Sequence, residues 1–230
     1  LVTGVQTCAL PICETTFFRR EGEYWVRTVG PDGTLEDFPV QYVFGVYPLQ
    51  QLLLPLPGGK LQALTIAWDA RPPEQGGQRW YHLYPNDAVT HHDALHWTGP
   101  YLNWNGQCAE CHSTGVEKNY DFVARTYRTR YEEINVACEA CHGPGSEHVA
   151  AARASSLDGL DQSGFAMSLS PRSRWVFKDG ASIATRIQGQ ASHQLSTCAR
   201  CHSRRRTLGD YAHGEDLLQT HRLAMLNAPL

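Results

Sequence analysis

One five-residue frame constrains this chain more than any other feature, because it occurs three times: Cys108-Ala-Glu-Cys111-His112, Cys138-Glu-Ala-Cys141-His142 and Cys198-Ala-Arg-Cys201-His202. Each is Cys-x-x-Cys-His, the attachment signature for a c-type haem. Two thiols three positions apart can each form a thioether to one vinyl group of a single porphyrin, and the adjacent His then supplies an imidazole nitrogen to the iron. Three copies take six of the eight cysteines, so chance does not account for the pattern. Such a chain has to fold around macrocycles rather than around side chains alone.

Other uses of Cys-x-x-Cys fit less well. A structural zinc site needs four ligands, and three knuckles that each carry their own His do not divide into such sets. A thioredoxin-like redox pair would need a single Cys-x-x-Cys opening a helix after a strand. Disulfides within the motifs would leave His112, His142 and His202 unexplained.

The chain has 230 residues, enough for one large domain or two small ones. Its 42% apolar and 19% charged residues suit a globular protein, and its net charge of −3 points neither to nucleic acid nor to a polybasic membrane patch. No apolar run approaches the roughly 20 residues of a membrane span. The sequence carries no signal for oligomeric state. Residues 1–13 lack charge and helical period, resemble translated sequencing adapter, and are read as non-native, the alternative being an apolar strand with two odd cysteines. The stretch Leu226–Leu230 has no domain-closing signal, so a fragment truncated at both ends is expected.

Residues 14–70 read as an antiparallel β subdomain of three to five strands. Phe17-Phe18 and Tyr24 to Val29 are aromatic and β-branched, Gly30-Pro31-Asp32-Gly33 is a turn, and Phe38 to Val46 resumes a strand. After Pro57-Gly58-Gly59, Leu61 to Trp68 alternates with period two, with one face apolar. The subdomain has no His and no Cys beyond residue 13, which suggests a scaffold. Residues 71–230 read as a helix- and loop-rich multihaem region with little regular structure. The fold class is therefore α+β. Trp80 to Pro85 and His91 to Trp97 suit a haem-lining wall, or else a surface loop with ordinary histidines. Tyr120 to Val136 reads as a short strand pair or an irregular excursion. Ser146 to Ala154 reads as a helix with Ser146 as its N-cap. Residues 155–192 read as a long excursion and Glu215 to Met225 as a helix.

Each iron also needs a sixth ligand or an open position. Two methionines cannot serve three haems, whereas eight of the eleven histidines lie outside the motifs. Bis-His coordination is thus expected, with lower potentials than His/Met ligation. His148 is the first distal candidate, because Gly143-Pro144-Gly145 forces a turn that would send it toward a neighbouring haem. His193 and His96 follow, and His82, His92, His213 and His221 read as non-ligands. Arg204-Arg205-Arg206 form a solvated face or a partner for haem propionates. Met167 and Met225 read as packing residues.

At Cys138-Glu-Ala-Cys-His-Gly-Pro-Gly-Ser-Glu-His148 and Cys198-Ala-Arg-Cys-His-Ser-Arg-Arg205 the chain resembles the cytochrome c554-type multihaem domain. Phe44 to Gln51, Ile66 to Arg71 and Gln107 to Ser113 are similar to bacterial multihaem cytochromes that often continue into tetratricopeptide repeats. The resemblance spans about residues 15–225. It implies haem c as cofactor, further motifs outside this fragment, and a periplasmic or otherwise exported carrier that meets redox partner proteins. The residues and the resemblance together point to electron transfer, with no catalytic residue assigned. Two rivals are a multihaem oxidoreductase acting on a small nitrogen or sulfur species at an open-site haem, and a redox or scaffold module of a repeat-containing protein.

Overall fold

The computed structural model describes residues 5–7, 14–156, 158, 164–165, 167, 169, 174–188, 193–225 and 227. Cys8 and Cys13, most of the 157–173 stretch and residues 189–192 lie outside them. The fold is mixed α+β, with small antiparallel sheets and short helices. The chain clusters into two compact units, Leu1–Val136 and Ala137–Leu230.

The first unit holds two four-stranded antiparallel meanders. One contains β1 (Val5–Thr7), β2 (Glu14–Arg20), β3 (Glu23–Val29) and β4 (Leu35–Pro39). The other contains β5 (Tyr42–Phe44), β6 (Leu49–Leu56), β7 (Lys60–Asp69) and β8 (Arg79–His82). The β character of 14–70 is as expected, but six strands rather than three to five lie in it, they divide between two sheets rather than forming one meander, and β8 extends the β structure past residue 70. The stretch read as non-native also contributes β1, paired with β2. The strand expected over Phe38 to Val46 is divided: the Val40 amide donates to Tyr24 in the first sheet, and the next amide, Gln41, donates to Leu53 in the second. One residue thus switches the chain between layers. The turn at Gly30–Gly33 forms as expected, with the Asp32 carboxylate accepting from the amide and hydroxyl of Thr34.

β7 departs from a one-faced strand, since it is buried on both sides. Leu64 and Ile66 join Leu52, Leu54, Phe17, Val26, Phe38 and Trp97 between the sheets. Leu61 and Ala63 point the other way and pack with Leu53, Phe44, Leu102, Trp104 and Ala109. Period-two alternation with apolar residues of both parities gives a central strand with two dry faces. The second face carries the segment that leads into the first Cys-x-x-Cys-His motif.

The aromatics expected as a haem-lining wall go instead into this sandwich. Trp80 stacks on Phe17 at 4.0 Å and meets Trp68 edge-on at 5.3 Å. Trp97 is buried against Phe38 and donates its indole N–H to the Val29 carbonyl at 2.7 Å. Large rings gain more from a dry interlayer than from a loop surface. Past residue 113 the chain forms an antiparallel ribbon, bridged at Thr114/Glu133 and Glu117/Arg130 and closed by β9 (Tyr120–Asp121) and β10 (Thr126–Tyr127). This is the strand-pair alternative for that stretch.

The second unit has α2 (Cys138–His142), α3 (Ser146–Arg153) and α4 (Gln194–His202); α1 (Ala109–His112) belongs to the first. Two ribbons accompany them, β11 (Arg174–Val176) with β12 (Thr185–Gln188), and β13 (Arg205–Thr207) with β14 (His221–Leu223). The helix expected over Glu215 to Met225 is absent. Asp216 caps a single 3₁₀ turn, Leu217–Gln219, and the chain then returns as β14 to pair with β13. Only Leu217 of that turn is buried, so no continuous apolar stripe rewards a longer helix. The N-cap of α3 is Gly145, one residue before the expected Ser146.

Candidate functional site

Each motif occupies one helical turn. In α2 and α4 the two cysteines lie at i and i+3 and the histidine at i+4, so all three side chains share a face. At the first motif Cys108 closes a π-helical turn, Trp104–Cys108, and enters α1 with right-handed helical dihedrals. None of the six motif cysteines is tied up in a disulfide. Among the described residues, no three His, Cys, Asp or Glu side chains converge as a group that could hold a metal ion. Two thiols and an imidazole on one helical face are the donor set that covalent haem attachment needs, and the residues present fit that group.

The first motif is anchored most deeply, and by residues that the motif itself does not reveal. Gln62 on β7 donates to the carbonyls of Trp97 and Gly99, both at 2.9 Å, and accepts from the Asn103 amide at 2.9 Å. Asn105 accepts from the Leu61 amide at 2.7 Å and donates to the Gly59 carbonyl and the Thr129 hydroxyl. The Asn103 carbonyl oxygen caps Gly106 at 2.9 Å. Each of these three amide side chains uses both its oxygen and its nitrogen, as burial requires. Between the two asparagines, Trp104 is 0% exposed. After the motif, Ser113 and Thr114 donate to the carbonyls of Ile134 and Asn135, and Asn135 accepts from the Gly45 amide. His112 lies edge-on to Phe44 at 6.3 Å. Burial pushes the Cys108 thiol up to about 11, with Cys111 adding to the effect, which keeps that sulfur protonated at neutral pH. The one sequence signal for this anchor was the Asn103-Trp104-Asn105 alternation just ahead of the motif.

His96 belongs to the same unit and is 8% exposed. Burial holds its imidazole well below the usual range, at about 4, with His91 reinforcing and Asp93 opposing the shift. Its Nδ1 lies 2.8 Å from the Thr98 hydroxyl. His82 accepts from the Tyr84 amide through Nδ1, which ties it into its own turn. The His91 and His92 rings lie 3.8 Å apart.

In the second unit, Gly143 closes α2 at φ +74°, a left-handed value that only glycine adopts without strain. Its amide bonds the Glu139 carbonyl, and the Glu139 side chain accepts from the Gly145 amide at 2.7 Å. The turn so fixed brings His142 and His148 onto one ring: Phe165 lies 5.1 Å from His142 and stacks on His148 at 4.2 Å. A Cβ at Gly164 would stand 2.8 Å from the His148 amide nitrogen, so glycine permits this approach. His193 is exposed at the start of α4. His221 is buried with Nδ1 2.9 Å from the Thr220 hydroxyl.

The arginine run after the third motif is partly committed to the backbone. Arg204 donates to the Met225 carbonyl at 3.1 Å, and Arg205 donates to the Arg200 carbonyl and the Thr207 hydroxyl. Met167 is buried and accepts from the Thr197 hydroxyl, consistent with packing. Met225 is 76% exposed and does not pack; it closes a short ribbon with nothing beyond to cover it among the described residues.

Residues 78–143 match the model of the family described as cytochrome c554 and c-prime. No curated protein and no solved structure matches the chain. Among the described residues no helix is long and apolar enough to cross a membrane. The matched segment contains the first two motifs whole and is cytochrome c554-like, which supports a c-type cytochrome role in electron transfer with haem c as cofactor.

Proposed function

We propose that the chain is a multihaem electron carrier acting in the periplasm or another exported compartment, with three haems held at Cys108/Cys111, Cys138/Cys141 and Cys198/Cys201. The observation that carries this reading is the repeated donor set, two thiols and an imidazole on one helical turn, at all three motifs. The bound groups would supply one-electron chemistry. The chain's own part is to tether them through six sulfurs, to offer His112, His142 and His202 as proximal ligands, and to offer His148, His193 and His96 as distal ones. His96 suits that role because burial keeps it neutral near pH 7 and the Thr98 hydroxyl, 2.8 Å from Nδ1, can accept a hydrogen bond from that nitrogen and leave Nε2 to ligate; the Thr98 amide, 3.4 Å from Nδ1, favours the other tautomer. His148 suits it because α3 and Gly164 hold its position.

The test is expression of residues 14–230 behind an export signal with c-type maturation machinery, followed by the alkaline pyridine haemochrome spectrum and intact mass. A c-type band with the mass of three added haems is expected, together with a low-spin ferric spectrum. Exported, folded protein without covalent haem would overturn the proposal. A high-spin fraction in the ferric spectrum would move the reading toward catalysis at an open site.

A further inference from the structure

We infer that Arg200 and His213 are positioning residues that clamp the second and third haem-attachment helices together, making those two motifs a fixed pair. The inference rests on the haem reading above and adds to it which motifs are neighbours. Arg200 is the residue before the second cysteine of the third motif, and Ala140 holds the same place in the second. The Arg200 guanidinium donates through Nη1 to the Ala140 carbonyl at 3.4 Å, and His213 Nε2 lies 3.2 Å from the same oxygen. Arg200 Nη1 also lies 3.4 Å from His213 Nε2: with the proton on Nε2 both side chains donate to the oxygen, which has two lone pairs, and with it on Nδ1 His213 accepts from Arg200 and braces it instead. Equivalent positions of two motifs, 60 residues apart in the chain, thus meet within the reach of one side chain.

The clamp is itself braced. The Arg200 guanidinium lies over the Tyr211 ring at 4.8 Å, a cation–π contact that holds it in place. Tyr211 in turn lies 6.0 Å from His213. The Arg200 carbonyl accepts from Arg205, and Leu217, the buried residue of the 3₁₀ turn, donates its amide to Ser196 on α4. The loop from β13 to β14 therefore docks on α4 while also presenting His213 to α2. A guanidinium fixed by stacking on a planar ring is a geometric device more than a charge, and lysine would not reproduce it.

Two porphyrins held close at a fixed angle couple their Soret transitions and give a bisignate circular dichroism couplet. In the C108S/C111S chain, which carries haem only at the second and third motifs, this couplet is expected. Arg200→Ala combined with His213→Ala should reduce it at least twofold at unchanged haem load. Arg200→Lys, the milder variant if the double variant fails to fold, should reduce it measurably. Absence of the couplet from that two-haem chain, or a couplet that Arg200→Lys leaves unchanged in it, overturns the clamp. Absence of covalent haem in the wild-type chain would instead sink the haem reading, and the clamp with it; the haemochrome assay on the same sample separates the two failures.

Discussion

The two units bury their side chains very differently. The first has a double core, with β6 and β7 covered on one face by the other sheet and on the opposite face by the approach to the first motif. Among the described residues of the second, the buried apolar side chains are Ala151, Met167 and Leu217, while Val149, Trp175, Phe177, Ile183, Ile187, Leu195 and Leu208 are exposed. Apolar burial supplies the main favourable free energy of folding, so the first unit has its own source of stability and the second needs another. Two covalently held macrocycles would be that source, much as a structural metal makes folding and loading one event. On the proposed reading, the first motif would be an attachment point on a pre-built wall, and the other two attachment points around which a unit assembles.

The largest effect that would break this contrast concerns haem loading. Produced without maturation machinery, the chain should resist limited proteolysis up to about residue 136 and be cut readily beyond it, as read from fragment masses. Equal protection of both units would remove the contrast. Within the first unit, Trp104→Ala should cost about 3–5 kcal/mol, the range for deleting a large buried aromatic, seen as a lower denaturant midpoint. Asn105→Ala should cost about 1–3 kcal/mol, because it strands the buried Leu61 amide; Asn105→Asp, which keeps the acceptor, should recover part of it.

A pH effect comes next. The Arg71 guanidinium bonded to Asp69 lowers its carboxyl to about 2. A depressed acid adds stability that is fully present above its unfolded value, near 4, and lost as pH falls from about 4 toward 2. Arg71→Leu should therefore shift acid unfolding of the first unit, followed by tryptophan fluorescence, to higher pH. The smallest effect belongs to the second unit. Arg206 and Arg222 face each other in register on the ribbon of β13 and β14, and both are exposed. Arg222→Thr should stabilise that ribbon by about 0.2–1 kcal/mol, the usual size of a cross-strand pair term, detectable as slower amide exchange at Arg206.

Local patterning made the β region and the motifs legible. Alternation predicted β7, the Gly30–Gly33 segment predicted its turn, and Cys-x-x-Cys-His announced its donor set, because each depends on side chains within a few residues. Gly143-Pro144-Gly145 likewise marked the turn that follows α2, since the positive φ at Gly143 is a local need. Three things depended on partners distant in sequence and were not legible. Both faces of β7 are dry because residues 102–109 return to cover the second one. The aromatics at 80 and 97 entered the sandwich because Phe17 and Phe38 were waiting there. Glu215–Met225 became a turn and a strand because β13 supplied a partner for its backbone. Nor could spacing show that Gln62, Asn103 and Asn105 anchor the first motif, or that Arg200 reaches Ala140. By itself, the sequence determined where along the chain two cysteines and an adjacent histidine recur as a donor set, because that set is written in five consecutive residues. Only the tertiary structure decided that the first motif rests on a core and that Arg200 reaches Ala140, because burial and hydrogen-bond partnership are properties of the folded neighbourhood.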